Sequence, residues 1–96
     1  MNEHRDNSNR LTFDFDNIEG EMYRKITDEV ISNFSLEVAT EKVAGFDEVF
    51  QDFKKGNDVI GLEWDNWSGY SVVAKITSAE SLAKEIAGYI NAKFNS

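Results

Sequence analysis

The chain has 96 residues, a formal net charge of −8 and no cysteine. This length suits one domain with a single core, and without cysteine there are no disulfides, thiolate metal sites or cysteine nucleophiles. The single histidine, His4, lies in a polar segment, which excludes a histidine-based triad and a multi-histidine metal site. We therefore expect no metal and no cofactor. The acidic balance also counts against nucleic-acid binding, which depends on Lys and Arg neutralising phosphates.

Residues 1–10 carry no apolar side chain after Met1. We therefore expect a flexible N-terminal tail over 1–10, followed by a single α+β domain over 11–96. The segment lacks the apolar stretch of a secretory signal, and apolar runs elsewhere are far shorter than the roughly 20 residues of a membrane helix. If Met1 is the native start, the protein is expected to be cytoplasmic and to bind no membrane.

Two periodic patterns cover the first third of the domain. Alternating apolar residues predict a first strand: Leu11, Phe13 and Phe15. From Ile18 onward every fourth residue is apolar, which predicts a helix over about residues 17–34, and Asp16 with Glu19 has the spacing of a capping box. A second alternation predicts a strand over about residues 36–41.

The segment 46–53 has apolar side chains spaced i, i+3, i+4 and i+7: Phe46, Val49, Phe50 and Phe53. This spacing predicts a short amphipathic helix that ends at Gly56 after two lysines. Its outer face would be polar and largely acidic: Asp47, Glu48, Gln51 and Asp52.

Two β-rich runs, residues 59–64 and 70–76, are separated by a sequence typical of a hairpin loop with a left-handed glycine. Pairing Trp64 with Tyr70 places the apolar residues of both runs on one face, and Gly61 indicates a bulge or a close approach of another group. A capping box and an apolar stripe then predict a C-terminal helix: Thr77, Glu80, Leu82, Ile86, Tyr89, Ile90 and Phe94.

The order of these elements predicts the α+β class. We expect a mostly antiparallel sheet of about four strands, with two long helices packed on one face and one short helix. The sequence has no internal repeat and no proline, so one domain is expected.

The acidic surplus lies wholly before Ser71, because residues 71–96 carry three lysines and two carboxylates. One interpretation is a solvated surface that keeps the protein soluble. The other is a field that steers a basic protein partner, which raises association rates by roughly 10- to 1,000-fold.

The run from Glu63 to Tyr70 places two tryptophans, one tyrosine and two carboxylates around a turn. Trp64 and Tyr70 are explained by a cross-strand pair on the core face. Trp67, at the apex, either folds back over the core or anchors a partner, as exposed aromatic residues do at interfaces.

No phosphate-binding loop, dinucleotide fingerprint or nucleophile elbow occurs in the sequence. Carboxylate pairs such as Asp14 with Asp16, or Glu63 with Asp65, are explained by alternation along a strand. We therefore expect the protein not to be an enzyme.

The charge balance and the run Gly61 to Tyr70 together resemble, in type, the small acidic immunity and antitoxin proteins of bacteria. These include inhibitors of secreted ribonucleases and the immunity proteins of contact-dependent growth inhibition systems. The resemblance implies a stoichiometric complex in which carboxylates occupy the cationic cleft of a basic nuclease toxin. The candidate partner-binding residues are Asp47, Glu48, Asp52, Glu63, Asp65 and Trp67.

Two alternatives stay open at this point. The first is a homodimeric interaction module that uses the 63–70 hairpin as its contact. The second is a carbohydrate-binding module, in which Trp64, Trp67 and Tyr70 stack on a sugar ring.

Overall fold

A computed structural model describes residues 1–95, which form a seven-stranded antiparallel sheet and two helices; Ser96, the end of the predicted domain, lies outside them. The strands are β1 (Asn2–Arg5), β2 (Leu11–Phe15), β3 (Glu37–Val38), β4 (Val43–Ala44), β5 (Glu48–Lys55), β6 (Asp58–Asp65) and β7 (Gly69–Ala74). The helices are α1 (Tyr23–Phe34) and α2 (Glu80–Phe94), which follow the 3-10 turns Gly20–Met22 and Thr77–Ala79. The α+β prediction is confirmed. Four strands was too few, and within residues 1–95 the predicted third helix is absent.

Both helices pack on one face of the sheet, whose strands run in the order β1-β2-β7-β6-β5-β3 with β4 beside β5. The sheet side chains buried beneath the helices all point to this face: Phe13, Phe15, Phe53, Ile60, Leu62, Tyr70, Val72 and Ala74. The helices contribute their predicted stripes to the same core, including Ile26 and Val30 from α1 and Ile86 and Ile90 from α2. We call the other side of the sheet, which the helices leave uncovered, the open face.

The β6–β7 hairpin has the predicted register. Trp64 pairs with Tyr70, and the two following apolar pairs are Leu62 with Val72 and Ile60 with Ala74. A Cβ on Gly61 would lie 2.6 Å from Lys75 Cε. Gly61 therefore marks a close approach, one of the two alternatives its position in a strand indicated.

The two long helices are confirmed, but their capping boxes do not form. In the described residues neither helix start has a side-chain cap hydrogen bond; each begins with a 3-10 turn instead. The entry to α1 is fixed from the sheet, because Trp64 Nε1 donates to Ile18 O at 2.9 Å. Gly20 lets this indole pack closely, since a Cβ there would lie 3.0 Å from Trp64 Cη2.

The helix predicted over 46–53 is wrong: residues 48–55 form β5, the longest strand together with β6. The four-residue spacing of Val49 and Phe53 also fits period two, because both residues face the helices from the strand. Phe50 lies on the open face opposite Glu63. Gly56, interpreted as a helix end, is instead a hairpin residue with φ 61, as two-residue hairpin loops require at their first position. The strand predicted over 36–41 is reduced to the two residues of β3.

The flexible tail predicted for residues 1–10 is also wrong, because residues 2–5 form the edge strand β1 paired with β2. The strand is polar and fully exposed, so it carries no apolar alternation that sequence reasoning could detect. Two long-range contacts hold it. His4 Nε2 donates to Asp14 Oδ2 at 2.7 Å, and Arg5 Nη1 donates to Glu80 Oε2 at 2.6 Å.

The attachment of β1 is expected to weaken as pH rises. The hydrogen bond to Asp14 raises the pKa of His4 above its usual 6.5 in the folded protein. This contact therefore contributes its full stability below pH 6.5, and that contribution is lost as pH rises through the raised folded pKa. The substitution His4→Gln should lower the melting temperature more below pH 6.5 than at a pH about two units higher. Thermal melts of wild type and variant at both pH values check this. A difference independent of pH would contradict the assignment.

Candidate protein-binding surface

The strand carboxylates predicted to bind a partner lie on one surface. Glu48 and Asp52 on β5, and Glu63 and Asp65 on β6, all occupy open-face positions of the sheet register. The sequence predicted Glu48 and Asp52 on one face of a helix. They lie instead on one face of a strand, because alternate residues of a strand point to the same side. Four of the six candidate residues therefore share the open face, as the hypothesis requires.

In the middle of the open face, the carboxylates are already engaged within the protein. Lys75 Nζ lies 3.1 Å from Glu63 Oε2 and 3.5 Å from Asp52 Oδ1, and the Lys75 stem crosses over Gly61. The three charged side chains are each less than one-third exposed. Lys75 thus neutralises one of the two negative charges in this cluster, and an incoming cation must compete with it.

Asp65 organises the β6–β7 hairpin loop. Its Oδ1 accepts hydrogen bonds from the backbone N–H groups of Trp67 at 2.8 Å and of Ser68 at 2.7 Å. Such side-chain bonds two and three residues ahead are the usual way an aspartate orders a turn. Asp65 therefore holds the loop in the shape that presents Trp67.

Two hairpin tips meet at one end of the sheet. The β4–β5 hairpin closes through Gly45 N–H donating to Glu48 O at 2.8 Å, which leaves Phe46 and Asp47 as its tip. The tip of the β6–β7 hairpin lies alongside, because Asn66 N–H donates to Asp47 O at 3.0 Å. We call this region the tip surface: Phe46, Asp47, Glu48, Asn66 and Trp67.

Each of the two tips presents one aromatic side chain to solvent. Trp67 is 79% exposed, so the alternative that it folds back over the core is wrong. Phe46 is fully exposed at 105%. Sequence reasoning missed Phe46 because it assigned the residue to the buried stripe of a helix. The signal that would have found it is the short Gly-Phe-Asp turn between two β-rich runs.

The exposed apolar surface continues from the tips onto the open face. Val43 on β4 pairs with Phe50 on β5, and both side chains stay exposed, at 49% and 37%. Apolar side chains that cluster at one end of a surface are typical of interaction sites, whereas isolated ones are ordinary. The tip surface therefore has an apolar flank.

Charge is unevenly distributed between the two ends of the sheet. By the strand register and loop contacts, the tip end carries a group of carboxylates: Asp16, Asp47, Glu48 and Asp65. The opposite end carries residues of both signs, among them Arg10, Lys54 and Lys55 with Asp6, Glu37, Asp58 and Glu80. The carboxylates at the tip end lie beside the exposed aromatic side chains, which favours a cationic partner there.

A cleft of about 280 Å³ lies at the opposite end, beside the start of α2. Its charged lining groups are paired internally: Arg10 with Asp6 at 2.9 Å, and Glu80 with Arg5 at 2.6 Å. The volume is at the small end of ligand sites, which span roughly 300–1,000 Å³. The charged groups beside the cleft are thus engaged within the protein.

A serine, an aspartate and a histidine do come together on the open face, but in an order that does not activate a nucleophile. Ser71 Oγ donates to Asp14 Oδ1 at 2.6 Å, and His4 Nε2 donates to the other carboxylate oxygen. The imidazole is therefore not placed to take the serine proton, as nucleophilic catalysis requires. The chain of hydrogen bonds ties β1, β2 and β7 together.

Two buried tyrosines are structural. Tyr23 Oη donates to Leu62 O at 2.6 Å, and Tyr70 Oη shares a 2.7 Å hydrogen bond with Thr27 Oγ1. Burial raises the pKa of Tyr23 to about 12 and raises that of Tyr70 as well. Both hydroxyls therefore stay protonated and hold α1 to the sheet.

The platform of three aromatic rings considered for a sugar ligand is not formed. Tyr70 is completely buried, and the Trp64 indole packs against the loop before α1. Trp67 is the one ring of the three that is exposed, so the three-ring stacking hypothesis is wrong. Among residues 1–95, no group of three His, Asp or Glu side chains is arranged to hold a metal ion.

No family model, curated protein or solved structure matches the chain. Any functional argument therefore depends on the residues and geometry described above. Neither helix within residues 1–95 combines the length and apolar character needed to cross a membrane.

Proposed function

We propose that the protein is a non-catalytic inhibitor that binds a basic nuclease toxin and blocks its cationic active site in the cytoplasm. The observation that carries this proposal is the convergence of open-face carboxylates and an exposed tryptophan at one end of the sheet. The net charge of −8 supports attraction to a basic partner.

The mechanism is steric and electrostatic blockade. Nuclease clefts hold phosphates with Lys, Arg and His side chains, and carboxylates at similar spacing compete for the same cations. Close charge pairs at such interfaces couple by roughly 1.5–7 kcal/mol, although desolvation of both charges offsets part of this. The inhibitor needs no reactive group of its own, because it acts by occupying the site.

The contacts of the candidate residues indicate a different role for each group. Asp47 and Glu48 face solvent at the tips, where they meet a cation first. Asp52 and Glu63 share Lys75 and add charge behind them. Asp65 acts by holding the loop that carries Trp67.

The test is a titration of enzyme activity. The resemblance to immunity proteins implies that the toxin is encoded beside its inhibitor. The product of the neighbouring open reading frame is therefore purified, its nuclease activity on RNA and DNA is measured, and this protein is added in increasing amounts. We expect activity to fall to zero at one equivalent, because one inhibitor fills one active site. Albumin at matched concentration controls for nonspecific effects. Undiminished activity with excess inhibitor would overturn the proposal.

A further inference from the structure

We infer that the partner docks on the tip surface, where Phe46 and Trp67 enter an apolar pocket flanked by Lys and Arg on a basic protein. This inference rests on the proposed function and deepens it, because it names the part of the surface that supplies affinity. The carboxylates in the middle of the open face would then attract the partner without forming the centre of the contact.

The aromatic side chains are exposed, yet the backbone that carries them is ordered. The two tips are joined by the Asn66 to Asp47 hydrogen bond, and the Asp65 side chain fixes the loop before Trp67. A backbone that is already held loses little conformational freedom on binding, so only the two side chains must be ordered when a partner docks; aromatic residues are common anchors at such interfaces.

The free carboxylates lie beside these rings. Within residues 1–95, the side chains of Asp47 and Glu48 make no ion pair or side-chain hydrogen bond, whereas Asp52 and Glu63 are held by Lys75. A cation on a partner therefore finds unengaged charge at the tips. Apolar anchors rimmed by negative charge fit a pocket with a basic rim.

Charge argues for a basic partner over a second copy of this chain. In a two-fold symmetric dimer the same patch faces itself, so the carboxylates of one copy would lie near those of the other. Like charges placed together at an interface are costly, and the chain as a whole carries −8. The tip surface is thus suited to a cationic protein.

The experiment uses two labelled peptides of equal charge. One consists of lysines and leucines with the leucines on one helical face; in the other, every leucine is replaced by serine. Fluorescence anisotropy measures the affinity of each for wild type, for Phe46→Ala, for Trp67→Ala and for Ile76→Ala. Ile76 is a matched control, because it is 42% exposed but lies at the opposite end of the sheet.

We expect wild type to bind the leucine peptide at least about tenfold more tightly than the serine peptide. Phe46→Ala and Trp67→Ala should each remove most of this preference and leave the melting temperature unchanged, while Ile76→Ala preserves it. Equal affinity for both peptides, or a preference that survives both tip substitutions, would overturn the inference. So would a stable homodimer in sedimentation equilibrium that Phe46→Ala dissociates.

The outcomes separate this inference from the proposed function. A toxin that is inhibited normally by the two tip variants would leave the inhibitor proposal standing and remove the tips as anchors. A leucine-peptide preference at the tips, together with an uninhibited toxin, would support the docking surface and remove the proposed function.

Discussion

Gly69→Ala is expected to destabilise the protein by more than about 3 kcal/mol, which lowers the melting temperature by at least roughly 12 °C in a domain of this size. Gly69 has φ 70, and a Cβ there would lie 2.0 Å from Phe15 O and 2.7 Å from Asp16 Cα. These are backbone atoms of the neighbouring strand. Relief of the clash therefore requires β2 to separate from β7 at the Phe15–Tyr70 pair.

Urea denaturation measures the stability of Gly69→Ala, and two other glycines provide matched controls. Gly56 has φ 61 but open space around its Cβ direction, so Gly56→Ala should cost only about 1 kcal/mol of backbone strain. Gly88 is helical and also open, so Gly88→Ala should stabilise by about 0.5–1 kcal/mol. A Gly69→Ala variant as stable as Gly56→Ala would show that β2 does not approach the loop as described.

Association with the basic partner is expected to be at least about tenfold slower in high salt than in low salt, with a much smaller change in dissociation. Salt screens the long-range attraction that speeds encounter, whereas contacts formed after docking are short-ranged and less screened. Stopped-flow or surface-based kinetics over a range of sodium chloride concentrations gives both rates. An association rate independent of salt would count against electrostatic steering.

The location of the steering charge is tested by two variants with the same change in net charge. Asp47→Asn with Glu48→Gln neutralises the tip surface, and Asp28→Asn with Glu85→Gln neutralises exposed positions on the two helices. The tip variant should associate more slowly and show a flatter salt dependence. The helix variant should stay close to wild type. Equal effects would indicate that total charge, without regard to position, controls the rate.

The parts of the fold that the sequence predicted are those where local pattern and tertiary burial agree. The β6–β7 register follows from the loop residues and from the alternation around Trp64 and Tyr70, and the structure confirms each apolar pair. The helix stripes are equally local, since four-residue spacing places them on one face.

The wrong predictions concern two kinds of segment. In one, the apolar spacing fits both a helix and a strand; in the other, apolar residues form no pattern. Val49 and Phe53 lie four residues apart, which fits one face of a helix and also one face of a strand, and the pairing of β5 with β6 decides between the two. A two-residue Gly-Asn loop between two β-rich runs was the local signal for that hairpin. In β1, the stabilising contact from Arg5 reaches Glu80, far along the chain, and no local pattern encodes it.

The sequence predicted that candidate carboxylates share one face of the hairpin. It did not predict which side chains lie at the centre of the candidate surface. Strand alternation around the hairpin placed Glu63 and Asp65 together, whereas the sequence left open whether Trp67 folds back or is exposed, and the structure shows it 79% exposed. The position of Phe46 beside Trp67 depends on two hairpins lying next to each other, which requires the sheet order. The ion pairs of Lys75 with Asp52 and Glu63 likewise depend on how three neighbouring strands are ordered in the sheet.

We propose that a basic partner is held at the aromatic and acidic end of the open face. Amide chemical-shift mapping of the isotope-labelled protein, free and in complex with the neighbouring gene product, shows which residues the partner contacts. We expect the largest changes at residues 46–48 and 65–68, with the outer faces of α1 and α2 unchanged. Changes confined to the helices or to the opposite end of the sheet would contradict it.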